Sequence, residues 1–295
     1  MSRSLVFFIL KLLGVKKIFS HDPIDFMKLR KTDVKAAPVR LFKKFNVYTL
    51  GLHDSSITVV SPKVSPKKEG LVLFVPGGAF ISGPVQHHWE AIAKMVRQTG
   101  KTVWMVDYPK APEADIHRIS VNMDHVFEEA TQAYSADQIQ LIGDSAGAAL
   151  IMSLIQRLVQ KNGAIPAKLL LITPVFDSSL SNPKVDEIDA KDPMLSKVGA
   201  LSAKQMCVQE TSLKNPAISP LYGDFSGFPS TVLFLGGYDI NYPDGLLGVE
   251  KIQAAQVDLT LIDEPLMPHI FPLLPLMPAA KKAFDLVIKE LKVPS

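Results

Sequence analysis

The stretch "LIGDSAGAAL" (residues 141–150) sets one hydroxyl, Ser145, between Gly143 and Gly147, where one apolar run stops and another begins. A strand-to-helix turn built from small residues would read this way with no further purpose. So would a nucleophile elbow, in which the same turn holds a serine exposed and poised for attack. The G-x-S-x-G pattern alone does not choose between them, so the decision rests on what surrounds it.

Upstream and downstream lie short all-apolar runs of the kind that form strands buried on both faces. They are "LVLFV" (71–75), "TVWMV" (102–106), "IQLI" (139–142), "KLLLIT" (168–173), "TVLFL" (231–235) and "DLTLI" (258–262). Helical stretches fall between them, at about 87–99, 117–134, 146–161, 244–255 and 276–292. Two further strands, at 43–50 and 56–61, are joined by a turn at His53-Asp54-Ser55. Strand–helix alternation of this length predicts an α/β fold, a mostly parallel sheet covered by helices on both faces. One gap breaks the rhythm: almost sixty residues separate Thr173 from Thr231, too many for a bare loop. The expected organisation is a main domain over 36–295, a cap insertion at about 175–225, and a second cap segment from residues 1–35.

The bulk properties narrow the function. With 295 residues, 47% apolar and 21% charged, the chain can bury a large core. A net charge of +3, with its lysine pairs scattered, does not form a nucleic-acid patch. The single cysteine, Cys207, excludes an intrachain disulfide and fits a reducing, cytoplasmic setting. No H-x-x-x-H or C-x-x-C spacing offers a metal site, so no metal is expected. Residues 4–17 ("SLVFFILKLLGVKK") carry Leu5, Phe8, Ile9, Leu12 and Leu13 at helical spacing. That apolar face is expected to pack on the protein. The run is too short to span a bilayer, so no stable membrane insertion is expected. A homo-oligomer stays open.

In an open parallel sheet, ligands sit beyond the carboxyl ends of the strands. Ser145 directly follows the strand at 139–142 and opens a helix, whose first free N–H, at Ala146, faces any charge developing beside the serine. "PGGAF" (76–80) follows the strand at 71–75 and could aim the N–H groups of Gly78 and Ala79 at the same oxygen. A serine hydroxyl needs a histidine base and a carboxylate to orient it. Of seven histidines, His269 comes after Ser145 at the carboxyl end of the last strand and leads. His87 and His88 could line the pocket, but they precede the serine. Asp239 directly follows the strand at 231–235 and leads as the acid; Asp244 is its rival and could instead cap a helix. Asp144 reads as part of the turn.

Several ordered blocks carry a family resemblance: "GDSAG", "DYPKAPE" (107–113), "SPLYGDFSGFP" (219–229), "GGYDINYPD" (236–244) and "PHIF" (268–271). Together they resemble the hormone-sensitive-lipase-like α/β-hydrolases, from about Leu71 to Phe271. The resemblance implies an α/β-hydrolase fold under a helical cap and hydrolysis of carboxylic esters without a cofactor. It matches Ser145 to the nucleophile, Asp239 to the acid and His269 to the base. Gly78, Ala79 and Ala146 match the oxyanion-hole donors. Two departures stand out. The family's oxyanion loop reads H-G-G-G before an aromatic, whereas here Pro76 replaces the His and Ala79 the last Gly. A Cβ at Ala79 disfavours positive φ, and Pro76 removes a side chain that could brace the loop. "PHIF" also lacks the Gly common after the base. Phe80, Trp89 and Phe176, with Met194 and Met206 nearby, are expected to shape an apolar acyl pocket for small-molecule esters with short to medium chains. The alternatives are a ligand-binding homologue without turnover, or a peptidase or acyltransferase on the same triad.

Overall fold

The computed structural model describes residues 3–64, 70–209, 211–274 and 276–292. Its strands are β1 (Phe45–Leu52), β2 (Ser55–Pro62), β3 (Leu71–Val75), β4 (Thr102–Asp107), β5 (Ile139–Asp144), β6 (Lys168–Ile172), β7 (Ser230–Tyr238) and β8 (Leu259–Pro268). They form one sheet in the order β1-β2-β4-β3-β5-β6-β7-β8. The β1–β2 hairpin joins β4 antiparallel, and every pairing from β4 to β8 is parallel. The all-apolar runs are the central strands: β3 and β5 are buried along their whole length. β8 is the far edge, exposed or only half-buried up to Leu266 and buried at Met267 and Pro268. It runs past the residues expected to end it, so Asp263 and Glu264 lie within the strand.

The helices are α1 (Arg3–Leu13), α2 (Val15–Phe19), α3 (Phe26–Arg30), α4 (Val39–Phe42), α5 (Gln86–Thr99), α6 (Ile116–Ala133), α7 (Ser145–Gln160), α8 (Lys184–Asp189), α9 (Lys197–Val208), α10 (Tyr242–Ala254) and α11 (Pro278–Lys292). Local chemistry sets their ends. Asp115 caps α6 by accepting from the Arg118 N–H at 2.8 Å. Gly100 closes α5 in the left-handed conformation. α5 packs on β2 and β4, α7 on β3, β5 and β6, and α10 on β7.

The long gap contains α8 and α9, and α2 packs against α9. Lys16 on α2 donates to the carbonyls of Asp189 and Asp192, tying the N-terminal segment to the insertion. The packed face of α1 is not the expected one. Val6 and Leu10 are buried, and the Phe7 ring meets Tyr238 edge-on at 5.1 Å. Leu5, Phe8 and Leu12 are 47%, 59% and 71% exposed. The side chain of Leu13 lies outside the described residues. The helix is apolar nearly all round, so periodicity does not select one face; tertiary contact does. Among the described residues, no helix is long and apolar enough to cross a membrane.

Candidate active site

The turn between β5 and α7 places Ser145 at φ +52°, a conformation an L-residue holds at a cost of about 1–2 kcal/mol. The flanking glycines make it possible. A Cβ on Gly147 would lie 2.1 Å from the Val75 carbonyl on β3, and one on Gly143 would lie 2.9 Å from the Ala148 N of α7. Strand, turn and helix therefore pack backbone to backbone around one serine.

His269 follows β8 directly, and the Ile270 N–H, bonded to Thr173 Oγ1 at 3.0 Å, pins the turn that carries it. Its Nδ1 donates to Asp239 Oδ2 at 2.6 Å. The other Asp239 oxygen accepts from the Asn241 backbone N–H at 2.9 Å and from its side-chain amide at 3.0 Å. With Nδ1–H committed, Nε2 is the ring nitrogen left to accept a proton. Burial pulls the imidazolium pKa down, but the Asp239 charge and hydrogen bond, helped by Asp192 and Asp144, outweigh it and leave it raised. Asp244 does not reach this histidine: it sits in the first turn of α10, accepts from Asn182 at 3.0 Å, and burial raises its pKa to about 6. The structure joins Asp239, and not its rival, to His269.

Ser145, His269 and Gly77, Gly78 and Ala79 of the "PGGAF" loop line one cavity of about 480 Å³. Within the loop, Gly78, Ala79 and Phe80 have φ of +135°, +53° and +66°. Ala79 therefore adopts the left-handed geometry that its Cβ disfavours. The Gly77 N–H is not free: it donates to Asp144 Oδ1 at 3.0 Å. Among the described residues, the N–H groups of Gly78 and Ala79 meet no acceptor. That of Ala146 is free by its place in the first turn of α7.

Bracing compensates for the altered loop. The Tyr108 hydroxyl donates to the Pro76 carbonyl at 3.1 Å. Asp144 holds Gly77 and also faces His88 Nε2, 3.3 Å from Oδ1 and 3.4 Å from Oδ2. His88 Nδ1 accepts from the Val85 N–H at 3.0 Å, so Nε2 carries the ring's proton and donates to Asp144. Burial alone would raise the Asp144 carboxyl pKa; His88, His87 and the Gly77 N–H more than offset it and hold it low. Donor atoms of His87, His88 and Asp144 lie within 4.8 Å of one another, close enough for a metal. The fixed tautomer argues against one, because the His88 nitrogen that would face the ion has no lone pair to give. His87 is neutral, with burial and then His88 lowering its pKa to about 3.

Phe80, Trp89 and Phe176 do not form the pocket wall. All three are fully buried and absent from the cavity lining. Trp89 donates to the Val34 carbonyl at 2.6 Å and meets the Phe42 ring edge-on. Phe176 packs on Phe225 and against Gly248. Large aromatics near a site in sequence were drawn instead into the core below it. The wall comes from the covering segments: Leu10, Val15 and Phe19 from α1 and α2, and Met194, Leu195 and Ala200 from the insertion. Met206 does not line it.

Three residues were not legible as site parts. His88 could be placed near the pocket but not given its brace. Asp192 accepts from Ile240 at 3.0 Å and from Met194 and Leu195, fastening the insertion to the loop that carries Asp239. Burial, then the facing Asp239, raises its pKa. Lys204 lines the cavity from α9, and its sequence signal is a helical period: Ala200, Lys204 and Cys207 share one face, which leaves a lysine on the buried side.

This fold, with a serine elbow and a His–Asp pair on one cavity, defines an α/β-hydrolase. The pattern of the alpha/beta hydrolase fold matches residues 72–273, and the chain belongs to that family. It is similar to an esterase of Acinetobacter venetianus, 31% identical over 193 residues that cover 63% of this chain and 62% of that one. It is also similar to the Mycobacterium tuberculosis carboxylesterase/phospholipase LipF, 28% identical, covering 72% and 59%. The matched stretches thus span less than two thirds of these relatives. Among solved structures, a hormone-sensitive lipase from a metagenome library shares the fold over 100% of this chain and 99% of that one, with a TM-score of 0.85 at 22% identity.

Proposed function

We propose that the protein is a serine carboxylesterase acting on small esters with short to medium acyl chains. The observation that carries this reading is the 2.6 Å His269–Asp239 contact, set in one cavity with Ser145 and two unengaged backbone N–H groups. Ser145 Oγ attacks the ester carbonyl while His269 Nε2 takes its proton. Asp239 holds the tautomer and balances the imidazolium charge. The N–H groups of Gly78, Ala79 and Ala146 receive the oxyanion. The alcohol leaves with the proton from His269, and water, activated by the same base, frees the acid and restores Ser145. The N-terminal segment and the insertion serve as the cap, and an apolar cavity of about 480 Å³ is in the range that encloses a small ligand. A single buried thiol supports a cytoplasmic setting.

The test is hydrolysis of 4-nitrophenyl esters from acetate to decanoate by wild type and Ser145→Ala. Chain-length-dependent turnover that vanishes in the variant is the expected outcome. A folded wild type no faster than Ser145→Ala would overturn the reading in favour of a ligand-binding homologue.

A further inference from the structure

Lys204 lies on the buried face of α9, is 2% exposed, and among the described residues its Nζ has no hydrogen-bond partner. It borders the same cavity as Ser145 and His269. Gly199 packs against the Phe19 backbone, and Ser202 Oγ accepts from the Ile24 N–H at 3.0 Å, so the helix is fixed to the N-terminal segment on the turn below the lysine. An ammonium buried without a partner is costly, and proteins normally pair one or expose it.

The acids nearest in effect hold other partners, although Asp244 Oδ2 is buried without one. Asp177 accepts from Ser179 and, at 2.8 Å, from the Tyr222 hydroxyl. Asp239 holds His269 and Asn241, and Asp244 accepts from Asn182. None forms an ion pair with Lys204. Burial lowers the lysine's pKa to about 8, against the pull of Asp177, Asp244 and Asp239, so the group is still mainly an ammonium at neutral pH. A wall that is otherwise largely aliphatic thus holds one charged donor with nothing to bind.

We infer that the missing partner belongs to the substrate: the cavity takes an ester with an apolar body whose acyl or alcohol arm ends in an oxygen acceptor, a carboxylate or oxo group, which Lys204 binds. This rests on the esterase reading and narrows its substrate class. Lys204 is then a specificity-determining residue.

The experiment compares kcat/KM for oxygen-tipped and hydrocarbon esters in wild type and Lys204→Met. An acyl series uses 4-nitrophenyl heptanoate, 6-oxoheptanoate and hydrogen adipate. An alcohol series uses the butyrate esters of hexanol and of 5-hydroxypentanoic acid. In at least one series the ratio of oxygen-tipped to hydrocarbon ester should fall roughly 10- to 100-fold in the variant, the worth of a hydrogen bond to a charged group. The wild-type ratio should also decline as pH rises past about 8, while the variant's stays flat. Asp177, Asp239, Asp244 and Cys207 surround the lysine, and His87 and His269 share the cavity, so the variant's own profile is the control for their titration. Methionine keeps the aliphatic stem and removes only the unpaired charge, so its melting temperature should not fall; if it does, Lys204→Gln replaces it. Ratios unchanged in both series, as a purely structural ammonium would give, overturn this inference alone. No turnover of any ester overturns it together with the esterase reading.

Discussion

The two sides of the cavity follow opposite rules. On the elbow side both carboxylates and the bracing histidine are committed: Asp144 to Gly77 and His88, His88 to Val85, and Asp239 to Asn241 and His269. On the covering side the wall is aliphatic, and its one ammonium has no partner. Geometry accounts for the difference. The elbow side must hold Ser145 and Ala79 in left-handed conformations, and such strain persists only where neighbours over-determine it. The covering side needs only to exclude water and admit a guest, which apolar side chains do without fixed bonds.

The strongest way to break this comparison is at Asp239. Asp239→Asn keeps the shape but loses the acceptor that sets the His269 tautomer, and kcat should drop by about 10³–10⁴. Asp244→Asn, whose carboxylate bonds Asn182 and not the base, should cost less than tenfold. Steady-state kinetics on one activated ester separates the two. Equal losses would mean that both acids act on His269 and would remove the basis for choosing between them.

That choice was open in the sequence, and the reason is physical. Both acids follow β7 in one stretch, and chain order does not say which points at β8. A backbone turn decides it, in which the Tyr242 N–H donates to the Asp239 carbonyl at 2.9 Å. The central strands were legible because a strand buried on both faces must be apolar throughout, as 71–75 and 139–142 are. The elbow was legible because backbone-to-backbone packing tolerates only glycine at Gly143 and Gly147. The aromatics failed for the opposite reason. Burial rewards area wherever it is found, so nothing local directs Trp89 or Phe176 to a cavity rather than to the core. The packed face of α1 was likewise hidden, because a helix apolar nearly all round carries no direction.

Next in size is the brace. His88→Leu leaves a buried carboxylate with the Gly77 N–H alone, and this should cost roughly 1–3 kcal/mol in denaturant unfolding. If the brace aims the oxyanion loop, kcat should fall with it by about 10²-fold, the order of one oxyanion donor, while KM changes little. A loss of stability with kcat intact would leave His88 as packing only, and the elbow side would be less tightly specified than its bonds imply.

The pH profile offers a gentler test. His269 must be neutral to accept a proton, so kcat/KM should climb with pH through a pKa above the ordinary histidine value. Stability runs the other way. A folded-state pKa above the unfolded one adds stability that is complete below the unfolded pKa and is lost as pH rises through the folded one. Because Asp239 is the leading cause that raises this pKa, Asp239→Asn should move the residual activity profile towards lower pH. A profile that stays put would assign the raised pKa elsewhere, with Asp192 and Asp144 the remaining charges.

The smallest expected effect lies at Ala79, where the loop departs from the family's glycine. Its φ of +53° costs a residue with a Cβ about 1–2 kcal/mol more than it costs glycine. Glycine in turn gives back roughly 0.4–1 kcal/mol through the greater freedom of its unfolded chain. Ala79→Gly should therefore stabilise the protein by no more than about 1.6 kcal/mol, read as a higher denaturant midpoint at unchanged slope. Activity should change little, because the Tyr108 and Asp144 contacts already hold the loop where the strained alanine leaves it. A large gain in kcat would show instead that those contacts do not fix the loop, and that its aim is set at Ala79 itself.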